Sequence, residues 1–312
     1  MSRKQWCERY RPRTVDEMIG NNALRRRLFF QIVGGLSHCL FFGPPGSGKT
    51  TMALAIARQL FPCVEDFKHR VLELNASNER GIQVVRKKIA NFVKQKISLE
   101  QRSFDPKNRT LLPPVRIVIL DEADRMTQEA QAALRQMTED YGRYGVRFFL
   151  LCNYKSDVIE PLVSRCLKVP FGAPPNEEIV ERLRGISTVE GFLPRLGSDS
   201  DQLFLHIAKQ SHGDMRQAMH WLQHLTLEER ANGAVQKMPA SYFIDKIDVM
   251  SGSLPRKSMK ALLDTLMKIP ANGCTCPDQE DWCNKVQSLV IDKGYAVGKC
   301  IEQLSEELLE RA

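Results

Sequence analysis

The sequence predicts an α/β protein: a parallel sheet domain carrying a P-loop, followed by two all-helical domains. Three observations carry this. Short continuous apolar runs alternate with helical patterns through the first half of the chain, and one of those runs ends in a glycine-rich loop with a lysine. Beyond Gly172-Ala-Pro-Pro175 helical periodicity takes over, and no further convincing strand follows. The boundaries near residues 172 and 235 give a sheet domain over 1–171, a small helical domain over 172–234 and a second helical domain over 235–312.

The elements follow in order. Cys39 to Phe42 is an apolar run stopped by glycine and proline, and Lys49 to Leu60 is helical. Arg70 to Leu74, Val115 to Leu120 and Phe148 to Cys152 read as further strands. None alternates with polar residues, which marks a parallel sheet covered on both faces. Ser98 to Pro114, with three prolines and several charges, reads as a surface insertion. From Glu177 through Leu227 helical patterns dominate, and a break near 233–239 opens a third helical stretch.

The chain has 312 residues, 43% apolar and 26% charged, near the averages of soluble globular proteins, which argues against a disordered or fibrous class. No long apolar run is present and the N-terminus is charged, so the expectation is a soluble intracellular protein with no membrane partner. Nine scattered cysteines then read as reduced thiols. The net charge of +8 is uneven: ten Lys/Arg against four Asp/Glu lie between Arg70 and Arg109. Such a run fits an acidic partner, or only a solvated face.

Gly43-Pro-Pro-Gly-Ser-Gly-Lys-Thr50 matches the P-loop pattern and sits between a predicted strand and a predicted helix, the context that the motif needs. Its glycines let main-chain N–H groups turn toward phosphate oxygens, and the helix N-terminus adds partial positive charge. The expected nucleotide contacts are Gly43, Pro44, Pro45, Gly46, Ser47, Gly48, Lys49, Thr50 and Thr51. Lys49 is expected at the β- and γ-phosphates of ATP and Thr50 on Mg²⁺. The strand ending at Leu120 delivers Asp121 and Glu122 to the sheet edge where ligands of such folds bind. Asp121 suits a partner of the metal, and Glu122 a base that polarises the attacking water. Asn153, at the end of the next strand, is placed to position the same water, although asparagine also commonly ends strands.

Several further segments carry a family resemblance. Leu72 to Arg86, Asp121-Glu-Ala-Asp124, Ser164-Arg-Cys166 and Gly213-Asp-Met-Arg216 stand in the order seen in small subunits of replication factor C, the AAA+ sliding-clamp loader. Trp6-Cys-Glu-Arg-Tyr-Arg-Pro12 resembles the family's N-terminal box near the adenine, which implies roles for Tyr10, Arg11 and Pro12. The proline-rich insertion and Cys152-Asn-Tyr154 are most similar to the subunit-four type of animals. The resemblance covers roughly residues 5–225 and thins beyond.

The resemblance implies an AAA+ domain, a helical lid and a helical collar for oligomerisation, in a nuclear hetero-pentamer that loads the sliding clamp at primer–template DNA. It implies ATP and Mg²⁺ as cofactors, Arg165 as a finger donated in trans to a neighbour's ATP, and Arg216 as the sensor of γ-phosphate in the same chain. It further implies phosphate contacts along the DNA backbone by the helix that begins near Ile82. Arg80, Arg86 and Lys87 are the candidates; Arg80, Lys87 and Lys94 also recur every seven residues beside an apolar face of Ile82, Val85, Ile89, Phe92 and Val93. The chain departs from the family at Arg125, where serine is common, and at Arg135-Gln-Met137. It also stops short of the family's last collar helices, so a weakened collar and a truncated chain are both open readings.

Cys274, Cys276 and Cys283 lack a nearby fourth ligand and do not match a zinc ribbon, so no metal is expected there. Asp121-Glu-Ala-Asp124 alone would also fit a DEAD-box helicase, but the helical region after 172 has no room for the second sheet domain such an enzyme needs. An AAA+ subunit of another DNA-remodelling complex, and an ATP-binding structural subunit with little hydrolysis, are the remaining alternatives.

Overall fold

A computed structural model of the chain describes residues 5–20, 37–76, 82–94, 115–192, 200–231, 239–266, 283–284, 286–291 and 295–311. The expected insertion over 98–114, the break over 233–239, Arg80, Cys274 and Cys276 lie outside these wholly or almost so. The chain divides into two compact units, Met1–Ile179 with Gly213–Arg216, and Val180–His212 with Gln217–Ala312.

The first unit holds five parallel strands, β1 (Cys39–Phe42), β2 (Val71–Asn75), β3 (Arg116–Asp121), β4 (Val146–Cys152) and β5 (Leu167–Pro170), in the order β2-β3-β4-β1-β5. Its helices are α1 (Trp6–Arg9), α2 (Lys49–Leu60), α3 (Val64–Arg70), α4 (Ile82–Lys94), α5 (Gln128–Gly142) and α6 (Glu160–Val163). Successive strand residues point to opposite faces, and both faces are buried. Phe41, Ile117, Ile119, Phe149 and Leu151 pack with Met52, Ala53 and Ile56 of α2. Leu40, Val118, Leu120, Phe148 and Leu150 pack with Val85, Ile89 and Phe92 of α4 and Leu134 and Met137 of α5. The continuous apolar runs thus have the cause read from the sequence: a strand sandwiched between helices needs apolar residues on both sides.

The fifth strand departs from the reading. Leu167-Lys-Val-Pro170 lies at the sheet edge beside β1, with Lys168 and Pro170 exposed. Lys168 and the closing Pro170 interrupt its apolar run, as an edge strand tolerates, whereas β3, β4 and β1 lie inside the sheet.

The second unit is helical among its described residues. It takes most of α7 (Asn176–Val189), with α8 (Ser200–Gln210), most of α9 (Met215–Ala231), α10 (Ala240–Ser251), α11 (Arg256–Leu266) and α12 (Val297–Arg311). Buried residues recur at helical spacing on α8 (Leu203, Phe204, Ile207) and α10 (Phe243, Ile244, Ile247). His206 Nε2 lies 2.6 Å from the buried Asp248 carboxylate and ties these two helices together. Leu254, Met259, Leu262, Leu263, Val290 and Cys300 form a separate apolar cluster.

One buried base sets a pH dependence. His38, just before β1, accepts a hydrogen bond at Nδ1 from the Phe148 amide (3.1 Å). Burial, and then the Arg147 guanidinium, lower its pKa from 6.5 to about 4. The native ring is therefore neutral in the window where the unfolded ring binds a proton. Stability is complete above pH 6.5 and falls as pH drops toward 4, by about 2–3 kcal/mol for a ring that keeps some contact with water. Denaturant unfolding across that range should show the decline. His38→Gln, which keeps an acceptor and cannot titrate, should flatten it.

Candidate functional site

The P-loop joins β1 to α2, so its geometry begins with three glycines. Gly43, Gly46 and Gly48 have φ of 149°, 70° and 91°. The space is as restrictive as the backbone at two of them: a Cβ on Gly43 would stand 2.1 Å from the Phe171 carbonyl oxygen, and one on Gly46 would stand 2.0 Å from an oxygen of Asp214. Asp214, 168 residues downstream of Gly46, thus rests directly on the loop. Ser47 Oγ donates to the Pro44 carbonyl (2.8 Å) and fixes the curl from within.

Lys49 is buried at the first position of α2, only 8% exposed. Its three ammonium protons meet three acceptors: Gly43 O (2.7 Å), Pro44 O (2.8 Å) and Asn153 Oδ1 (3.0 Å). Burial lowers its pKa, the Asp121 and Asp124 carboxylates oppose that, and the Arg216 cation adds to it. Arg216 is therefore near enough to act on the same charge.

Thr50 Oγ1 donates to Asp121 Oδ2 (2.8 Å), and Asp121 Oδ1 accepts from the Glu122 amide (2.9 Å). A hydroxyl and a carboxylate in contact at a helix N-terminus are hard oxygen donors of the kind that Mg²⁺ takes alongside phosphate oxygens and waters. The residues present fit that ion.

Glu122 has φ 56° and ψ 40°, left-handed backbone that costs a non-glycine residue about 1–3 kcal/mol. Its Oε2 is shut off from solvent with no hydrogen bond, and Arg125 Nε lies 3.5 Å from it. After Glu122 a short turn, Ala123–Arg125, carries Asp124 back to the end of β4, where its Oδ2 accepts from the Asn153 amide (2.9 Å).

The N-terminal box reaches the same helix. Arg11 Nε donates to Thr51 Oγ1 (3.2 Å), and Met18 packs close to Gly48. Tyr10 stands edge-on to the buried Trp6, with ring centres 6.1 Å apart, and Pro12 follows on the same segment. The structure therefore gathers Arg11, Gly43 to Thr51, Asp121, Glu122, Asn153 and Arg216 around one loop.

Arg165 stands elsewhere. It precedes β5, whose first residue pairs with Cys39, the first residue of β1, whereas the P-loop follows the other end of β1. A strand of that length separates them by about 13 Å. Its guanidinium is held by Glu139 of α5 (2.7 Å) and the Pro161 carbonyl (2.7 Å), and it is 40% exposed.

Arg86 and Lys87 are exposed on α4, Lys87 on the side opposite buried Val85 and Ile89 and Arg86 beside that apolar face, and Lys94 is exposed at its end. Arg80 lies outside the described residues. Among those residues no group of three or more His, Cys, Asp or Glu side chains could hold a metal ion, and Cys283 is a free, exposed thiol. Sequence reasoning assigned no role to Asp124 or Asp214. Asp124 carried a signal in Asp121-Glu-Ala-Asp124; the Asp214 contact joins residues too far apart for any local pattern.

Residues 39–171 match the family model "ATPase family associated with various cellular activities (AAA)". The chain is 38% identical over 310 residues to replication factor C subunit 2 of Oryza sativa subsp. japonica, covering 99% of this chain and 82% of that protein. It is 37% identical to replication factor C subunit 4 of Homo sapiens, covering 98% and 76%, and 39% identical to replication factor C small subunit 1 of Pyrobaculum arsenaticum, covering 97% and 81%. In solved structures the fold is similar to the RuvB Holliday junction branch migration motor of Thermotoga maritima, with a TM-score of 0.57 at 18% identity over 91% of this chain and 89% of that one.

Proposed function

The chain belongs to the replication factor C family of AAA ATPases, and from that premise we propose that it is an ATP-hydrolysing small subunit of a sliding-clamp loader that serves DNA replication and repair. The observation that carries the reading is the Lys49–Asn153 and Thr50–Asp121 pairing around the loop, which gathers a phosphate-binding cation, hard oxygen donors and a water-positioning amide at one place.

The roles follow from the chemistry. The γ-phosphate draws Lys49 off the Gly43 and Pro44 carbonyls, which releases loop acceptors as charge arrives. Thr50 and Asp121, in contact at 2.8 Å, would hold Mg²⁺, which would supply positive charge to the phosphate oxygens. Glu122 polarises the water, Asn153 orients it, and Arg216 reads the γ-phosphate within the same chain. Tyr10, Arg11 and Pro12 line the adenine side.

The wider reading is a nuclear hetero-pentamer whose turnover is Mg²⁺-dependent and is stimulated by clamp and primer–template DNA. In that reading 1–171 is the nucleotide-binding domain, 172–234 the lid and 235–312 the collar. Arg80, Arg86 and Lys87 meet DNA phosphates, contacts that hold a duplex without reading its sequence, as a loader acting at any junction requires.

Equilibrium titration with a fluorescent ATP analogue tests the site. Lys49→Ala is expected to weaken binding about 100-fold or more, by loss of a charge-assisted contact in a dry site and disruption of the loop it pins. A variant that binds like wild type would remove the loop from the mechanism.

A further inference from the structure

We propose that Asp124 is a positioning residue for ATP hydrolysis: its carboxylate fixes the main chain of Asn153 and, through the Asn153 amide, the ammonium of Lys49. The proposal rests on the ATP-site reading above and names a part that the reading does not use.

The chain of contacts begins at the C-terminal ends of the strands. β4 pairs with β1 through Cys152, opposite Phe42, so the Asn153 amide is the first main-chain donor beyond the ladder. Asp124 Oδ2 accepts it at 2.9 Å. The Asn153 side chain then accepts from Lys49 at 3.0 Å, so two hydrogen bonds connect the turn after β3 to the lysine of the loop. The left-handed backbone at Glu122 is what turns the chain back to make this contact, so the same turn sets both the base and the anchor.

A neutral acceptor would cap an amide equally well. Here the acceptor is a carboxylate whose other oxygen, Oδ1, is shut off from solvent without a donor, an arrangement that costs free energy unless a nearby cation offsets it. Lys49, which the Asn153 side chain holds at 3.0 Å, is such a cation. Asp124 therefore acts by anchoring Asn153, and substitution separates that anchor from the charge that carries it.

Asp124→Ala removes anchor and charge. Asp124→Asn keeps an oxygen acceptor for the Asn153 amide and removes only the charge. Steady-state hydrolysis in the assembled complex should show kcat lowered about 100-fold for Asp124→Ala, the scale of an ångström-level misplacement, with KM for ATP little changed. Asp124→Asn should recover most of kcat, because its side-chain oxygen still accepts the Asn153 main-chain amide. A fluorescent ATP analogue titrated onto each isolated chain, with Lys49→Ala beside them, keeps the two readings apart. Failure of Lys49→Ala to weaken binding sinks the ATP-site assignment. Normal nucleotide binding with wild-type kcat in Asp124→Ala sinks the role of Asp124. So does an Asp124→Ala defect that lowers binding and turnover in equal measure, or one that Asp124→Asn does not relieve, since either marks a scaffold residue only.

Discussion

Glu122→Gln is expected to bind ATP like the wild-type chain and to hydrolyse it about 100- to 10,000-fold more slowly, the range spanned by loss of a positioned general base. Glu122 follows Asp121 at the end of β3, where Asp121 accepts hydrogen bonds from the Thr50 hydroxyl and the Glu122 main-chain N–H. The amide is nearly isosteric, so nucleotide contacts and loop geometry survive. The left-handed backbone, with φ 56°, holds the side chain in place at a cost that glycine would escape. Glu122→Gly should therefore gain stability of about 1 kcal/mol by relief of that strain while losing hydrolysis as fully as Glu122→Gln. Single-turnover hydrolysis and denaturant melts check the pair together. Normal turnover by Glu122→Gln would assign the base elsewhere.

Arg165→Ala should lower hydrolysis at an adjacent subunit's site by about 10³–10⁵-fold and leave nucleotide binding to its own chain unchanged. The reason is position: Arg165 lies at the end of the sheet remote from its own P-loop, near the start of β5. It is half-exposed and paired with Glu139 at 2.7 Å. A solvent-exposed pair of this kind contributes about 0–1 kcal/mol, so a neighbour's phosphate readily displaces the carboxylate. Glu139 also lies 3.8 Å from Arg135 and keeps that partner when Arg165 leaves. The measurement is turnover in complexes where only the neighbouring site can bind ATP. Unchanged turnover there would leave Arg165 as a surface ion pair.

The sheet was legible where burial is symmetrical. Cys39–Phe42 and Lys49–Leu60 have the bounds that the apolar run and the loop motif gave. The other three strands read from the sequence shift by one or two residues where charged or polar residues begin or end them: Arg116 and Asp121 on β3, Arg147 on β4, Asn75 on β2. The edge strand Leu167–Pro170 was missed because half of it faces water, and Val64–Arg70 was missed because a helix of seven residues carries too few turns for a period. The P-loop, Asp121, Glu122 and Asn153 were legible because each sits at a strand end, where sequence order fixes place. Arg125 was visible only as a departure; that it faces Glu122 at 3.5 Å depends on the left-handed turn between them. The rest of the site is long-range: Asp214 against Gly46, Asp124 against Asn153 and Glu139 against Arg165 join elements that only the fold brings together.

A clamp-loader ATPase subunit acts within a multi-subunit complex, so its turnover answers to that complex's other ligands. The most direct measurement is ATP turnover of that complex, reconstituted with this chain, with and without clamp and primer–template DNA, using wild type and Arg86→Ala. Wild-type turnover should rise when clamp and DNA are both present. Arg86→Ala should lower the stimulation and flatten the dependence of log affinity for DNA on log salt by about 0.9, the change for one lost phosphate contact. Turnover indifferent to clamp and DNA in the wild-type complex would contradict the account.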